Sequence, residues 1–442
     1  MALANTHYDR VTKDAAGETA WRVCVDSFHN SPKIIVDLLT EWGEFHFRDP
    51  RGFRFRDELP FVADIKNRLS EALWEGNADL YEQATGGLFL PKGYQQTLAA
   101  DGIGTKVEMA NALYSLYNIL DKIENKYWPK LTSWFRNMAR NLIAMSADDI
   151  ARHGGISLVY SNVIDHSRLT DDEAIAYQEL MLGLGDVLRE QWIVLLTGES
   201  AGLRQFVGSE NPNAFFPFNW SGVMYGLYHD KLKITGDEVE EGDFIVVLEQ
   251  PGIGSNWVTK AREALSILYG RDWWTNPDAL QDIEEVAEPC IVYSNLIADA
   301  NGWNTNGERK FHMTSVSHLA GGGLTDKFLK PILAKKWLSA KMDNLYKVSD
   351  TVHRMTGALA SKDNKFSIKN APDTWAIGQR MAMTFHTQEE AERFIAYAKS
   401  SYNVNGCIGG RVIGTAKSAN PHLDWTLKFE DGSNDQQFKL NA

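Results

Sequence analysis

One short stretch places a carboxylate, two glycines, a hydroxyl and a lysine within a single turn: Asp101-Gly102-Ile103-Gly104-Thr105-Lys106. Asp101 offers hard oxygen ligands for Mg²⁺, Gly102 and Gly104 let backbone amides approach an anion closely, and Lys106 can neutralise phosphate oxygens. Such a turn suits a metal-bound phosphate. It equally suits a strand-to-helix turn whose glycines only satisfy positive φ. It is neither a Walker A loop nor a dinucleotide fingerprint, because the glycine spacing differs from both. Farther along, Met145 to Gly155 carries the adjacent carboxylates Asp148 and Asp149. Neighbours on a helix or strand cannot face one direction, so at most one of them is a metal ligand. The alternative is an exposed first helical turn, which favours acids. Glu199 lies in Thr197-Gly198-Glu199-Ser200-Ala201-Gly202, again a carboxylate at a glycine turn after an apolar strand. Ser317-His318-Leu319-Ala320-Gly321-Gly322-Gly323-Leu324 marks a place where backbone lies against another strand or an anion, with His318 either structural or chemical.

These residues need elements to hold them. A strand over 96–100 would deliver Asp101 at its C-terminal end, where open α/β sheets bind ligands. Residues 107–144 read as helix broken near Pro129, with aromatics that fill a core or an interface. Thr170-Asp171-Asp172-Glu173 is a capping box opening a helix to Glu190. A strand over 192–196 follows, and the loop 206–218, with Asn211-Pro212-Asn213, is the expected connection between domains. The second half reads as a strand over 244–248, a turn at Pro251-Gly252-Ile253-Gly254-Ser255-Asn256, helix to about 268, and a long helix over 327–346. A second capping box, Thr387-Gln388-Glu389-Glu390, precedes another helix. A glycine-rich strand spans 407–415, and 430–442 reads as polar and loose. Before the first site stretch, alternation over 20–61 suits half-buried strands, and Ile65, Leu69 and Leu73 share a helical face within 62–74.

At 442 residues the chain is too long for one ordinary core, and two domains, 1–218 and 219–442, are expected. With 44% hydrophobic and 23% charged residues it reads as soluble and globular. A net charge of -13, from 45 basic against 58 acidic side chains, argues against nucleic acid and anionic membranes as partners. No run has the length of a signal peptide core or a transmembrane span. Cys24, Cys290 and Cys407 are scattered, which fits reduced thiols in a cytoplasmic protein.

Taken in order, these stretches resemble the aminoimidazole ribonucleotide synthetases, also called phosphoribosylformylglycinamidine cyclo-ligases. Asp101 to Lys106 resembles the family's Asp-Gly-Val-Gly-Thr-Lys, and Met145 to Gly155 its Met-x-x-Asn-Asp-x-x-x-x-Gly-Ala. Thr197 to Ala201 is similar to Gly-Gly-Glu-Thr-Ala, Gly252 to Arg262 to Gly-x-His-Ser-Asn-Gly with a downstream arginine, and Ser317 to Leu324 to Ala-His-Ile-Thr-Gly-Gly-Gly-Leu. Glu288-Pro289, Trp375 to Met383 and Gly406 to Thr415 complete a colinear set across about 86–415. The resemblance implies a divergent member with an α/β (α+β) fold of two domains. An N-terminal mixed sheet with helices would bind ATP and form a homodimer, and a C-terminal sheet flanked by helices would complete an interdomain active site. The implied reaction is ATP-dependent closure of formylglycinamidine ribonucleotide to aminoimidazole ribonucleotide, in purine biosynthesis. On that reading Asp101, Asp149 and Asp148 are the metal candidates for Mg²⁺. Gly102, Ile103, Gly104, Thr105, Lys106 and Glu199 face the nucleotide, and Lys106, Asn256 and His318 act on substrate. Departures fall at Gly254, where the family has histidine, at Trp257 for a glycine, and at Asp148 and Ala376 for asparagines. Another ATP-dependent kinase or synthetase of the same superfamily, or an inactive nucleotide-binding scaffold, are the alternatives.

Overall fold

The computed structural model describes residues 94–124, 133–305, 307–363, 366–430, 432 and 435–442, together with Thr19, Ala20, Arg22 and Val23. Those four are helical, and Val23 packs into the core of the first sheet. The other strands and the helix expected before residue 94, and the break expected at Pro129, lie outside the described residues.

The first sheet holds β1 (Tyr94–Gly102), β2 (Ile156–His166), β3 (Val194–Gly202) and β4 (Phe218–His229), in the order β1-β4-β2-β3. β4 runs antiparallel to β1 and to β2, while β2 and β3 are parallel. A parallel pair needs a long crossover, and α3 (Asp171–Glu190) supplies it, after α1 (Val107–Glu124) and α2 (Ser133–Ala151). α3 begins with the expected capping box, in which the Thr170 amide donates to Glu173 Oε2 at 2.9 Å. Alternation along β4 buries Phe218, Trp220, Gly222 and Met224. That face meets Phe135, Met138 and Leu142 of α2 and Leu180, Leu184 and Val187 of α3. On the opposite face Ile156, Leu158 and Leu227 pack against Ala298 and Trp303, while toward β1 the described residues leave Leu98, Val163 and Val223 exposed by 68%, 41% and 40%.

The second sheet has seven strands: β5 (Phe244–Glu249), β6 (Ser315–His318), β7 (Leu338–Met342), β8 (Gln379–Phe385), β9 (Gly406–Gly414), β10 (His422–Leu427) and β11 (Gln436–Asn441). Their order is β11-β10-β7-β9-β5-β8-β6. α4 (Val258–Tyr269), α5 (Leu280–Ala287), α6 (Ser294–Ala300), α7 (Asp350–Lys362), the short α8 (Ala371–Thr374) and α9 (Gln388–Tyr402) accompany it. The result is the expected two-sheet α/β architecture.

Four expectations are corrected. The loop after β3 does not join two domains, because β4 beyond it still belongs to the first sheet; the chain passes to the second sheet between His229 and Phe244, later than residue 218. Thr197 to Gly202 lies inside β3 rather than in a turn after it. The helix expected over 327–346 is a wide π-turn helix, Thr325–Leu333, that contains Pro331, and then strand β7. Proline removes one helical donor and crowds the preceding carbonyl, which widens the turn. The alternation Ala340, Met342 inward then selects strand. The C-terminus is not loose, since β11 pairs antiparallel with β10.

The two halves interlock. In α1, Met109, Leu113, Leu116 and Tyr117 recur at helical spacing and share a core with Trp273, Ile283 and Val286 of the second half. In return, Cys290 and Val292 join the core of the first sheet.

Candidate functional site

Helix α2 carries the stripe that joins the halves. Asn141, Met145, Asp148 and Asp149 recur at spacings of four and three to four residues, so they share one side of the helix and meet the second half there. Asn141 Oδ1 accepts from Ser255 Oγ at 2.9 Å and from the Cys290 amide at 3.1 Å. Asp148 Oδ1 accepts from the Tyr293 amide at 2.9 Å, and its Oδ2 lies 3.6 Å from Arg380 Nη1. Asp149 Oδ1 lies 3.0 Å from His318 Nδ1.

The adjacent aspartates diverge as a helix requires. Asp148 is fully buried, and burial pushes its pKa up to about 7, against the neighbouring Arg380 charge. It is sealed inside and used on Tyr293 and Arg380, so it is not presented to a metal in the cleft. Asp149 is half-exposed. Burial works to raise its pKa, but the His318 hydrogen bond and the charges of His318, Arg152 and Lys327 outweigh it and hold it below the usual carboxylate range. His318 is fully buried on β6, where burial and the Arg380 charge pull its pKa down to about 4. Its imidazole is therefore neutral, and a carboxylate partner at Nδ1 places the proton there and leaves Nε2 an acceptor.

Asp101 reaches the same neighbourhood from the first sheet. Strand register puts Asp101 opposite Gly222, Gly222 opposite Asn162, and Asn162 opposite Gly198, so all four share one face. That is the helix-covered face. The Asp101 carboxylate accepts from the Gly102 amide at 2.7 Å. Burial raises its pKa, the Gly102 bond opposes, and the charges of Asp149 (raising) and Arg380 (lowering) both act on it. The ring hydroxyl of Tyr160 lies over Gly222, 2.1 Å from where a Cβ would stand, and feels the Asp101 charge. Glycine is therefore required at 222.

Two expected contributors stand elsewhere. Glu199 pairs with Val163, so it points to the face opposite to that of Asp101 and stands three strands away, about 14 Å laterally at the usual strand spacing. Lys106 is fully buried rather than facing a cleft, and its ammonium donates to the carbonyls of Gly254 at 2.7 Å and Glu288 at 2.6 Å. Burial lowers its pKa to about 8. It ties the Asp101 turn to two segments of the second half. Gly102 is half-buried, Ile103 is buried in the first core, and Gly104 is exposed. Thr105 Oγ1 lies 3.3 Å from Thr259 Oγ1 in the first turn of α4. Asn256 is half-buried just before that helix.

Arg380 was not singled out in the sequence. It is fully buried in β8, donates to Ile291 O at 3.3 Å, and stays charged because the neighbouring Cys290, Asp148, Tyr293 and Asp149 outweigh burial. The signal was available: a lone charged residue in a strand that also holds Met381, Ala382, Met383 and Phe385. Gly254 is buried beside it at φ 73°, where a Cβ would already touch Ala376 Cβ at 3.5 Å and Arg380 Cδ at 4.0 Å.

Among the buried polar atoms without a hydrogen-bond partner in the described residues are several at this junction: Asn141 Nδ2, Asp148 Oδ2, His318 Nε2 and Arg380 Nε. Such atoms are rare in finished interiors and are satisfied by solvent or by a ligand. The described residues contain no group of three His, Cys, Asp or Glu side chains able to cage a metal. Asp101 and Asp149 are two carboxylates, the second raising the pKa of the first, and carboxylates are the kind of donor that Mg²⁺ takes together with phosphate oxygens and water. No helix among the described residues is long and apolar enough to cross a membrane.

The fold and site thus define a two-domain α/β protein with a carboxylate and imidazole cluster where the halves meet. By sequence it is similar to phosphoribosylformylglycinamidine cyclo-ligases. It is 24% identical over 233 residues to that of Pyrococcus horikoshii, covering 53% of this chain and 58% of the other. It is 24% identical over 258 residues to that of Gloeothece citriformis, covering 57% and 65%. The matches therefore span about three fifths of the length of these relatives. No protein-family model matches the chain. Among solved structures, thiamine-monophosphate kinase from Stenotrophomonas maltophilia aligns with a TM-score of 0.45 at 16% identity, over 81% of this chain and 94% of that one. The hydrogenase maturation protein HypE from E. coli aligns with a TM-score of 0.43 at 14% identity, over 69% and 79%.

Proposed function

We propose that the chain is an ATP-dependent enzyme that closes the five-membered ring of aminoimidazole ribonucleotide from formylglycinamidine ribonucleotide. The observation that carries this reading is that Asp101, at the end of β1, stands near enough to Asp149, on α2, for the Asp149 charge to raise its pKa, while Asp149 Oδ1 lies 3.0 Å from His318 Nδ1. Phosphoryl transfer to an amide oxygen is chiefly positioning and charge neutralisation, and the cluster supplies the charges for it. Asp101 and Asp149 would hold Mg²⁺, which neutralises phosphate oxygens when bound. His318 accepts a proton at Nε2 or orients the amide, held in register by Asp149. Asn256 hydrogen-bonds substrate from the start of α4. Lys106 acts by fixing the Asp101 turn against Gly254 rather than by touching phosphate.

Gly254 favours a second reading. A glycine cannot polarise an amide, and at φ 73° the backbone disfavours any larger side chain in its place. A changed acceptor substrate for the same ATP chemistry follows from that. The exposed apolar side chains Leu98, Val163 and Val223 support a homodimer formed through the first sheet. The deciding experiment incubates purified protein with Mg-ATP and formylglycinamidine ribonucleotide, and follows ADP and the cyclised product. ADP release that requires the amide supports the first reading. Release only with other acceptors supports the second, and ATP binding without any turnover defeats both.

A further inference from the structure

Trp257 occupies a place that packing alone does not account for. It precedes α4 in the left-handed region, at φ 54°, which is uncommon for a bulky side chain. Trp337 shares that conformation, so strain alone does not distinguish it. Position does. The residue follows Asn256 directly, and its indole Nε1 is 3.4 Å from where a Cβ on Gly321 would stand. The indole therefore bridges the start of α4 and the glycine run after His318. Its backbone is fixed, since its carbonyl accepts from the Lys260 amide at 2.8 Å and from Trp375 Nε1 at 3.4 Å. Its side chain is not buried: the residue is 51% exposed, whereas Trp375 beside it is 3% exposed. A rigidly mounted, half-exposed indole at the mouth of a polar cluster offers one flat face to whatever enters. Stacking on such a face is sequence-tolerant and needs only a planar ring.

We propose that the exposed face of Trp257 is a stacking subsite for a planar heteroaromatic ring carried by a ligand of the candidate site. This rests on the ATP-dependent reading above and adds the ligand chemistry to it. The ring belongs either to the nucleobase of ATP or to a ring-bearing ribonucleotide in the acceptor position.

The test measures dissociation constants by calorimetry for the full-length wild type, Trp257→Ala and Trp257→Phe with four probes. These are Mg-ATP, Mg-tripolyphosphate, aminoimidazole ribonucleotide and ribose 5-phosphate. Stacking predicts that Trp257→Ala weakens a ring-bearing probe about tenfold or more and its ringless counterpart less than about twofold, while Trp257→Phe keeps most of the affinity. Loss for Mg-ATP alone assigns the subsite to the nucleobase, and loss for the imidazole alone assigns it to the acceptor. If both variants bind every probe as the wild type does, the stacking subsite is refuted and the ATP-dependent reading stands. If the wild type binds none of the four, both fall. Should Trp257→Ala fold poorly, the phenylalanine variant still decides, because ring probes must quench indole emission in the wild type by an amount that Trp257→Phe lacks.

Discussion

Replacing Lys106 by methionine keeps an unbranched side chain of similar size and removes a buried ammonium, and the structure makes two opposing forces of it. Burial of the charge draws its pKa from 10.5 to about 8. At 1.36 kcal/mol per unit, holding the charge inside the folded protein at neutral pH costs about 3 kcal/mol. Methionine relieves that cost but leaves the Gly254 and Glu288 carbonyls without their donor, at about 1–3 kcal/mol each. At neutral pH the variant is therefore only modestly less stable than the wild type. The pH dependence separates the two forces. Between the folded and unfolded pKa values the unfolded chain holds the proton and the folded chain has released it, so wild-type stability rises with pH in that window. From about pH 7.5 to about pH 9.5 the gain is about 2 kcal/mol, and the methionine variant lacks it. Urea unfolding of both proteins at the two pH values measures the gap, and every other titrating group cancels in the difference. A gap that stays constant or narrows as pH rises would refute the placement of Lys106 as an interior tie.

The remaining predictions concern the junction and the exposed side chains of the first sheet. Asp101→Asn should abolish amide-dependent ADP release while leaving the melting temperature nearly unchanged, because an amide oxygen can still accept from the Gly102 amide; wild-type turnover in that variant would exclude Asp101 from the chemistry. Arg380→Met should destabilise by about 3 kcal/mol or more, since it strips the nearby cation from buried Asp148, and adding Asp148→Asn should recover a substantial part of the loss; urea unfolding of the single and double variants gives the coupling directly. Leu98→Asp with Val223→Asp should convert a dimer to monomer in sedimentation without unfolding it, because both side chains are exposed on the first sheet; a wild type that sediments as a monomer removes the dimer from the proposal.

What the sequence disclosed and what it concealed follow one rule. Local signals whose consequence is also local were readable: the Thr170 capping box, the helix that became α1 and the divergence of Asp148 from Asp149 all appear as their periods require. Lys106 and Glu199 were misread because their roles depend on register and on partners far along the chain. A lysine after a glycine turn looks identical whether it meets phosphate or, as here, two carbonyls at 148 and 182 residues' separation. Glu199 is placed by β-pairing, where moving one residue along a strand moves a side chain to the other face of the sheet. Arg380 lay in plain view as a charge in a strand, yet only the fold shows that it stands beside both Asp148 and Gly254. That last juxtaposition bears on function. The departures Gly254, Ala376 and Asp148 are scattered in sequence but cluster around Arg380, so they are better understood together than as independent losses. A glycine that had merely lost a catalytic histidine would predict a crippled enzyme. The backbone at 254 opposes a simple reversal: at φ 73° a Cβ is strained and would stand against Ala376 and Arg380, so Gly254→His is expected to lose stability and to leave amide-dependent ADP release no faster than in the wild type. A gain in turnover at wild-type stability would show that the histidine was simply lost.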